Sequence, residues 1–428
     1  MKYSEMTKEQ LLNERKFLQK RYNEYKEMGL NLDMSRGKPG SDQLDLSVKM
    51  LDIVNSSHSC QTASGLDCRN YGLLDGLPSI KVIFAEMLQV KPEMIMVGGN
   101  SSLNMMFDTI ATFMTKSPVE GEKPWLEVKN RKFLCPSPGY DRHFGITEYF
   151  GFDMITIPMT SEGPDMDMVE KLIAEDDSIK GIWCVPKYSN PQGITYSDET
   201  VKRFANLKPK AKDFRIFWDD AYCIHDVTDT PDTLLPLMPE CEAAENEDLP
   251  ILFCSTSKIT FPGSGVAAMA ASANNMKMLK DKYQYQTIGY DKINMLRHVL
   301  FFGDFDGMKE HMEQHKNILR PKFKEVLKQL NKHVKETGVA SWNEPNGGYF
   351  VTVDVMEGTA KRVVQLCKEA GVVLTNAGAT YPYGNDPKDS NIRIAPSFPP
   401  KYELTNAMDI FCVSTQLAAV DKLLENME

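Results

Sequence analysis

The sequence has no C-x-x-C pair among its nine cysteines, and Cys135, Cys184 and Cys254 sit inside apolar runs. That excludes a disulfide framework or a cysteine zinc site and reads as reduced thiols acting as small buried hydrophobes. No metal site is expected. No stretch approaches the run of about 18 apolar residues that crosses a bilayer as a helix. No lysine or arginine block stands out, and the net charge is −10, so neither nucleic acid nor an anionic membrane is an expected partner. The opening MKYSEMTKEQ is charged and lacks an apolar leader core. There is no internal repeat and no low-complexity tract. A cytoplasmic globular protein is the expectation.

What is present is an ordinary globular mix over 428 residues, 42% hydrophobic and 25% charged, enough for a large core and more than one domain. Thr7 to Gln10 predicts a capping box that opens a helix running to about Gly29. Apolar runs then alternate with helical patterns. Strands are predicted at Met94–Val97, Lys132–Cys135, Met154–Ile157, Gly181–Val185, Arg215–Trp218, Ile251–Cys254 and Val266–Ala270. Helices are predicted at Pro78–Val90, Leu103–Thr115, Met166–Ala174 and Asp198–Ala205. Nearly continuous apolar strands alternating with helices predict an α/β fold with a mostly parallel sheet covered on both faces. A long helical pattern from about Phe305 to Thr337 leads to Gly348–Val353, Val372–Thr375, Ile392–Ala395 and a helix from about Lys401. The expected organisation is a large α/β domain over 45–305 and a smaller α+β domain from 1–44 and 306–428.

Ligands of such sheets sit beyond the carboxyl ends of the strands, and three unusual segments lie there in order. Val185-Pro186-Lys187-Tyr188-Ser189-Asn190-Pro191-Gln192-Gly193 follows one strand. Phe217-Trp218-Asp219-Asp220-Ala221-Tyr222 ends the next. Ile251 to Cys254 runs into Ser255-Thr256-Ser257-Lys258. On an extended backbone Ser255 and Ser257 face one way and Lys258 the other, so hydroxyls could hold an anion while the amine reaches another part of the same ligand. Singly, each segment is also ordinary turn or strand-end chemistry.

Taken together, Asn-Pro-x-Gly, then Asp-x-Ala-Tyr, then Ser-x-Ser-Lys resemble the aspartate aminotransferase superfamily, the fold type I enzymes that use pyridoxal phosphate. The resemblance runs almost end to end. It includes the Ser35-Arg36-Gly37-Lys38-Pro39 loop, Tyr71-Gly72, Gly98-Gly99-Asn100-Ser101-Ser102, Pro136-Ser137-Pro138-Gly139-Tyr140 with His143, and Asn391-Ile392-Arg393-Ile394. It implies a PLP-dependent transferase fold type I, a homodimer with shared sites, and ping-pong exchange between an amino acid and a 2-oxo acid. Lys258 is implied as the covalent anchor and proton shuttle, and Asp219 as the partner of the pyridine nitrogen, supported by His143. Tyr222 and Asn190 are implied at the phenolate oxygen, and Tyr140 stacked on the ring. Gly99, Asn100, Ser101, Ser255 and Ser257 are implied at the phosphate, joined by Tyr71 from the partner. Gly37, Asn190 and Arg393 are implied at the substrate, with Arg393 on the α-carboxylate, a task for the planar guanidinium.

One departure stands out. The family's phosphate-binding arginine, seven or eight residues after the lysine, is missing from Pro262-Gly263-Ser264-Gly265-Val266. That turn, with the Ser35–Pro39 loop, resembles the MocR-related branch, which contains aspartate aminotransferases and has also carried an alanine–glyoxylate label. Aspartate with 2-oxoglutarate is therefore the expected pair. A distal carboxylate would need a cation, for which Arg36, Arg142, Lys292 and Arg297 are candidates. The alternatives are another amino-acid aminotransferase, such as alanine–glyoxylate, and a fold type I lyase or decarboxylase. An effector-binding regulator is not expected, because only one helix precedes the Ser35 loop and no basic DNA-binding unit is seen.

Overall fold

Thr7 starts the first long helix, Lys8–Glu27, through the predicted capping box: its hydroxyl accepts from Gln10 N while the Gln10 side chain accepts from Thr7 N. Two of the free N–H groups at the helix start are thereby satisfied. The structure, a computed structural model, describes residues 2–427. After the helix, β1 (Leu32–Asp33) pairs in parallel with β12 (Val372–Val373), tying the N-terminal segment to the last third of the chain.

The main sheet contains β2 (Ile95–Val97), β3 (Lys132–Ser137), β4 (Asp153–Thr160), β5 (Gly163–Pro164), β6 (Ile179–Cys184), β7 (Arg215–Asp219), β8 (Pro250–Ser255) and β9 (Ala267–Ala271). Their spatial order is β2-β9-β8-β7-β6-β3-β4-β5. The run from β8 to β4 is parallel; β9 and β5 are antiparallel to their neighbours. Alternating side chains feed two cores. Phe217, Ile251 and Phe253 pack on one face, and Trp218, Leu252 and Cys254 on the other. This two-sided burial is why the strands read as unbroken apolar runs rather than an in–out alternation.

A second, antiparallel sheet joins β10 (Ala340–Trp342), β11 (Val351–Val355) and β13 (Asn391–Ile394) in the order β10-β11-β13. Helix Phe305–His333 leads into it, and helix Lys401–Glu425 closes the chain. A third core gathers Leu11 and Leu18 of the first helix, Phe323 and Val326 of the long helix, Val351 and Val353 of β11, and Phe411 of the last helix. The predicted elements are all present with shifted ends. The predicted Gly348–Val353 strand begins only at Val351, because Gly348 turns at φ +82° beneath Tyr188.

Candidate active site

The parallel strands end along one edge of the sheet, and a cavity of about 650 Å³ opens there. Asn190, Asp219, Tyr222, Ser255, Ser257, Lys258, Asn100, Ser101 and Tyr140 line it from the main sheet and its loops. Arg393 of β13 and the Arg36–Lys38 loop close it from the other side.

Asp219 is the last residue of β7 and is buried. Its Oδ2 accepts from His143 Nε2 at 3.0 Å, while Oδ1 has no partner among the described residues. His143 stacks on Trp183 with ring centroids 4.3 Å apart at 7°, and its carbonyl accepts from Thr147, whose hydroxyl in turn takes the Trp183 indole N–H. The stack on Trp183 and the contact with Asp219 together orient the imidazole. A buried carboxylate with one free oxygen carries a large unmet demand for a cationic N–H.

Sequence alternation placed Lys258 opposite the two serines; it lines the same cavity. The reason is that β8 stops at Ser255 and the backbone turns, with Ile259 N and Thr260 N both donating to Thr256 O at 2.9 Å. The Lys258 Nζ lies 4.8 Å from the Tyr222 ring centre. Desolvation lowers its pKa, against a smaller upward pull from Asp219, so the amine is easier to deprotonate and more nucleophilic than a surface lysine. Burial holds the Tyr222 phenol well above its ordinary pKa, so its hydroxyl stays protonated and able to donate.

Arg393 is buried, and its guanidinium is fixed from three sides. NH1 donates to Asn190 Oδ1 at 3.1 Å and to Asp141 Oδ1 at 3.2 Å, and NH2 donates to Thr375 Oγ1 at 3.2 Å. The Phe350 ring lies 4.7 Å beneath it, and Nε has no partner among the described residues. Gly37 comes so close to Phe350 that a Cβ would fall 2.5 Å from the ring, so a side chain here would have to push the ring or the loop away.

At the opposite end, helix Ser102–Thr115 begins without a side-chain cap, leaving its first N–H groups open to an anion. Asn100, Ser101, Ser255 and Ser257 surround that end, with Ser255 and Ser257 hydroxyls 3.0 Å apart. Gly99 lies beside the Tyr290 ring rather than on the cavity wall. Tyr71 is 82% exposed and lies outside its own chain's cavity. Of the four candidate distal cations, Arg36 and Arg142 line the cavity. Lys292 is buried and donates to Gly72 O, and Arg297 is not on the cavity wall.

Sequence reasoning missed Asp141, Thr375 and Phe350, all of which hold Arg393. Asp141 directly follows the singled-out Tyr140, and Phe350 stands two residues after Gly348, but nothing local says that either meets residue 393. The Phe350 contact follows from the pairing of β11 with β13, and the Asp141 contact from how the two sheets dock.

What remains unpaired tests the fit of a flat phosphorylated pyridine aldehyde. Asp219 Oδ1 has no partner among the described residues and can accept a ring N–H, the uncapped helix start can receive the phosphate, and Lys258 lines the same cavity. Fold and site together define a PLP-dependent aminotransferase of fold type I.

The family described as aspartate amino-transferase matches residues 6–427. The chain is 43% identical over 404 residues to an aspartate aminotransferase of Corynebacterium glutamicum, covering 94% of this chain and 93% of that one. An aspartate transaminase structure from the same organism superposes with a TM-score of 0.96 at 41% identity, covering 99% of both chains. An α-aminoadipate aminotransferase of Thermus thermophilus, solved with a phosphopyridoxyl-leucine adduct, shares the fold at 18% identity, with a TM-score of 0.73 over 93% of this chain and 94% of that one. The chain belongs to the aspartate aminotransferase family.

Proposed function

We propose that this enzyme moves the amino group of aspartate to 2-oxoglutarate in a ping-pong cycle, giving oxaloacetate and glutamate. The observation that carries the reading is one cavity holding Lys258, the free oxygen of Asp219, the fixed guanidinium of Arg393, and two further arginines, Arg36 and Arg142. Pyridoxal phosphate, when bound, supplies the electron sink that makes the substrate Cα–H acidic. Lys258 holds the cofactor covalently, then takes and returns a proton with its amine. Asp219, oriented by His143, keeps a proton on the ring nitrogen, while Tyr222 and Asn190 hydrogen-bond the phenolate oxygen and Tyr140 covers the ring. Asn100, Ser101, Ser255, Ser257 and the helix start behind Gly99 receive the phosphate. Arg393 grips the α-carboxylate beneath the Gly37 loop, and Arg36 or Arg142 meets the distal carboxylate. The test compares kcat/KM for aspartate and alanine. Arg36→Ala or Arg142→Ala should lower the value for aspartate about tenfold or more and leave alanine nearly unchanged. Wild-type enzyme preferring alanine with glyoxylate would remove the aspartate assignment.

The same reading extends to the assembly. The exposed side chains Tyr71, Leu73, Tyr285 and Ile288 lie on two segments that touch at Gly72 and Gly289, an apolar surface suited to a second copy of the chain. A homodimer would bring Tyr71 to the partner's phosphate. We take 45–305 as the cofactor-binding domain and 1–44 with 306–428 as the smaller one. The nine free cysteines fit a reducing, cytoplasmic setting.

A further inference from the structure

Lys258 is held from behind as well as from the cavity. Because β8 ends at Ser255, the carbonyls of Lys258 and Ile259 have no strand partner, and side chains take them instead. Tyr349 Oη donates to Lys258 O at 3.3 Å. His311 Nε2 and His315 Nε2 lie 2.8 and 2.9 Å from Ile259 O. Tyr349 Oη accepts in turn from Gln43 Nε2 at 2.8 Å, and the same nitrogen lies 3.1 Å from His315 Nδ1.

Gln43 is completely buried, and Gly40 N–H donates to its Oε1 at 3.3 Å. That contact fixes the sense of the amide, since reversing it would set an NH2 against the Gly40 N–H. In this sense His315 Nδ1 must be bare and its proton must sit on Nε2, where Ile259 O accepts it. His311 Nε2 crowds the same carbonyl, 3.1 Å from His315 Nε2. The groups around His315 suit a neutral ring: His311 on its own helix, Tyr349 on the opposite side, His225 nearby, and Asp42 already paired with Lys322 at 3.0 Å. Burial and His311 push its pKa down to about 4. Gly40 ends the loop that carries Gly37, which packs on Phe350, the residue after Tyr349.

We propose that Gln43 is a positioning residue that links the Gly37 loop to Lys258: its amide directs the Tyr349 hydroxyl and selects the His315 tautomer, and through them fixes the Lys258 and Ile259 carbonyls. The inference rests on Lys258 being the reacting amine. Its tests do not.

In cofactor-free protein with 15N-labelled histidine, His315, assigned by the signal lost in His315→Gln, should be the Nε2–H tautomer at neutral pH. Gln43→Glu, nearly the same shape but acceptor-only, should move that proton to Nδ1 and turn the Tyr349 hydroxyl away from Lys258 O. In holoenzyme, Gln43→Glu and Tyr349→Phe should each lower kcat about tenfold with amino-acid KM within about twofold. The double variant should be no worse than either single one. A wild-type His315 protonated on Nδ1, an unchanged kcat in Tyr349→Phe, or additive losses would overturn the proposal. If Gln43→Glu does not fold, the wild-type tautomer and Tyr349→Phe still decide it. Failure of Lys258 to take a covalent label would count against the proposed function and leave the tautomer result intact.

Discussion

At the scale of single residues, adjacent acids at the end of β7 have opposite fates. Asp219 is anchored by His143 with one oxygen free for a ligand. Asp219→Asn should lower kcat by about 10²–10³-fold, measured in single turnover, with smaller changes in amino-acid KM. Asp220 is buried with Oδ1 unpartnered among the described residues. Burial pushes its carboxyl up to about 7, against Lys187 and helped by Asp219. Between pH 4 and 7 the folded chain keeps a proton that the unfolded chain has released, so stability declines as pH rises, by about 1.4 kcal/mol per unit, and levels off above the folded pKa. Urea midpoints should show Asp220→Asn gaining on wild type from pH 5 to pH 8; a pH-independent gap would show that the acid is not buried protonated. Lys258, Asp219, Tyr222 and Asn190 were legible because their order along the chain is itself a pattern. Asp141, Thr375 and Gln43 were not, because each acts through a partner more than two hundred residues away or through the docking of β12 and β13, which no local window encodes.

At the scale of elements, the site depends on where strands stop. Beyond the end of β8 the chain bends, and Ser255, Ser257 and Lys258 all line one cavity. Thr256 holds the turn by accepting from Val266 N at 2.9 Å and lying 3.2 Å from His298 Nε2. Thr256→Val keeps the shape but strands a buried N–H, so it should cost about 1–3 kcal/mol of unfolding free energy. A midpoint in urea unchanged from wild type would show that the hydroxyl does not hold the turn. Strand and helix existence was readable from apolar periodicity, since a strand buried on both faces must be apolar throughout. The end of β8 was legible to within one residue, but what holds the bend after it was not, because its partners lie far along the chain. The histidines that satisfy the bend come from a helix more than fifty residues on.

At the scale of the whole molecule, the proposed homodimer would bring Tyr71, which is exposed and outside its own cavity, to the site of a second copy. Mixing Tyr71→Ala with Lys258→Ala subunits builds heterodimers in which one site has both wild-type residues, so about a quarter of wild-type activity should return. No recovery on mixing would confine each site to one chain. The account as a whole turns on a covalent bond to one amine. Holoenzyme reduced with borohydride, digested and mapped by mass spectrometry should carry the phosphopyridoxyl mass on the peptide containing Lys258 and on no other. A label on a different lysine, or none on a protein that nevertheless converts aspartate, would contradict it.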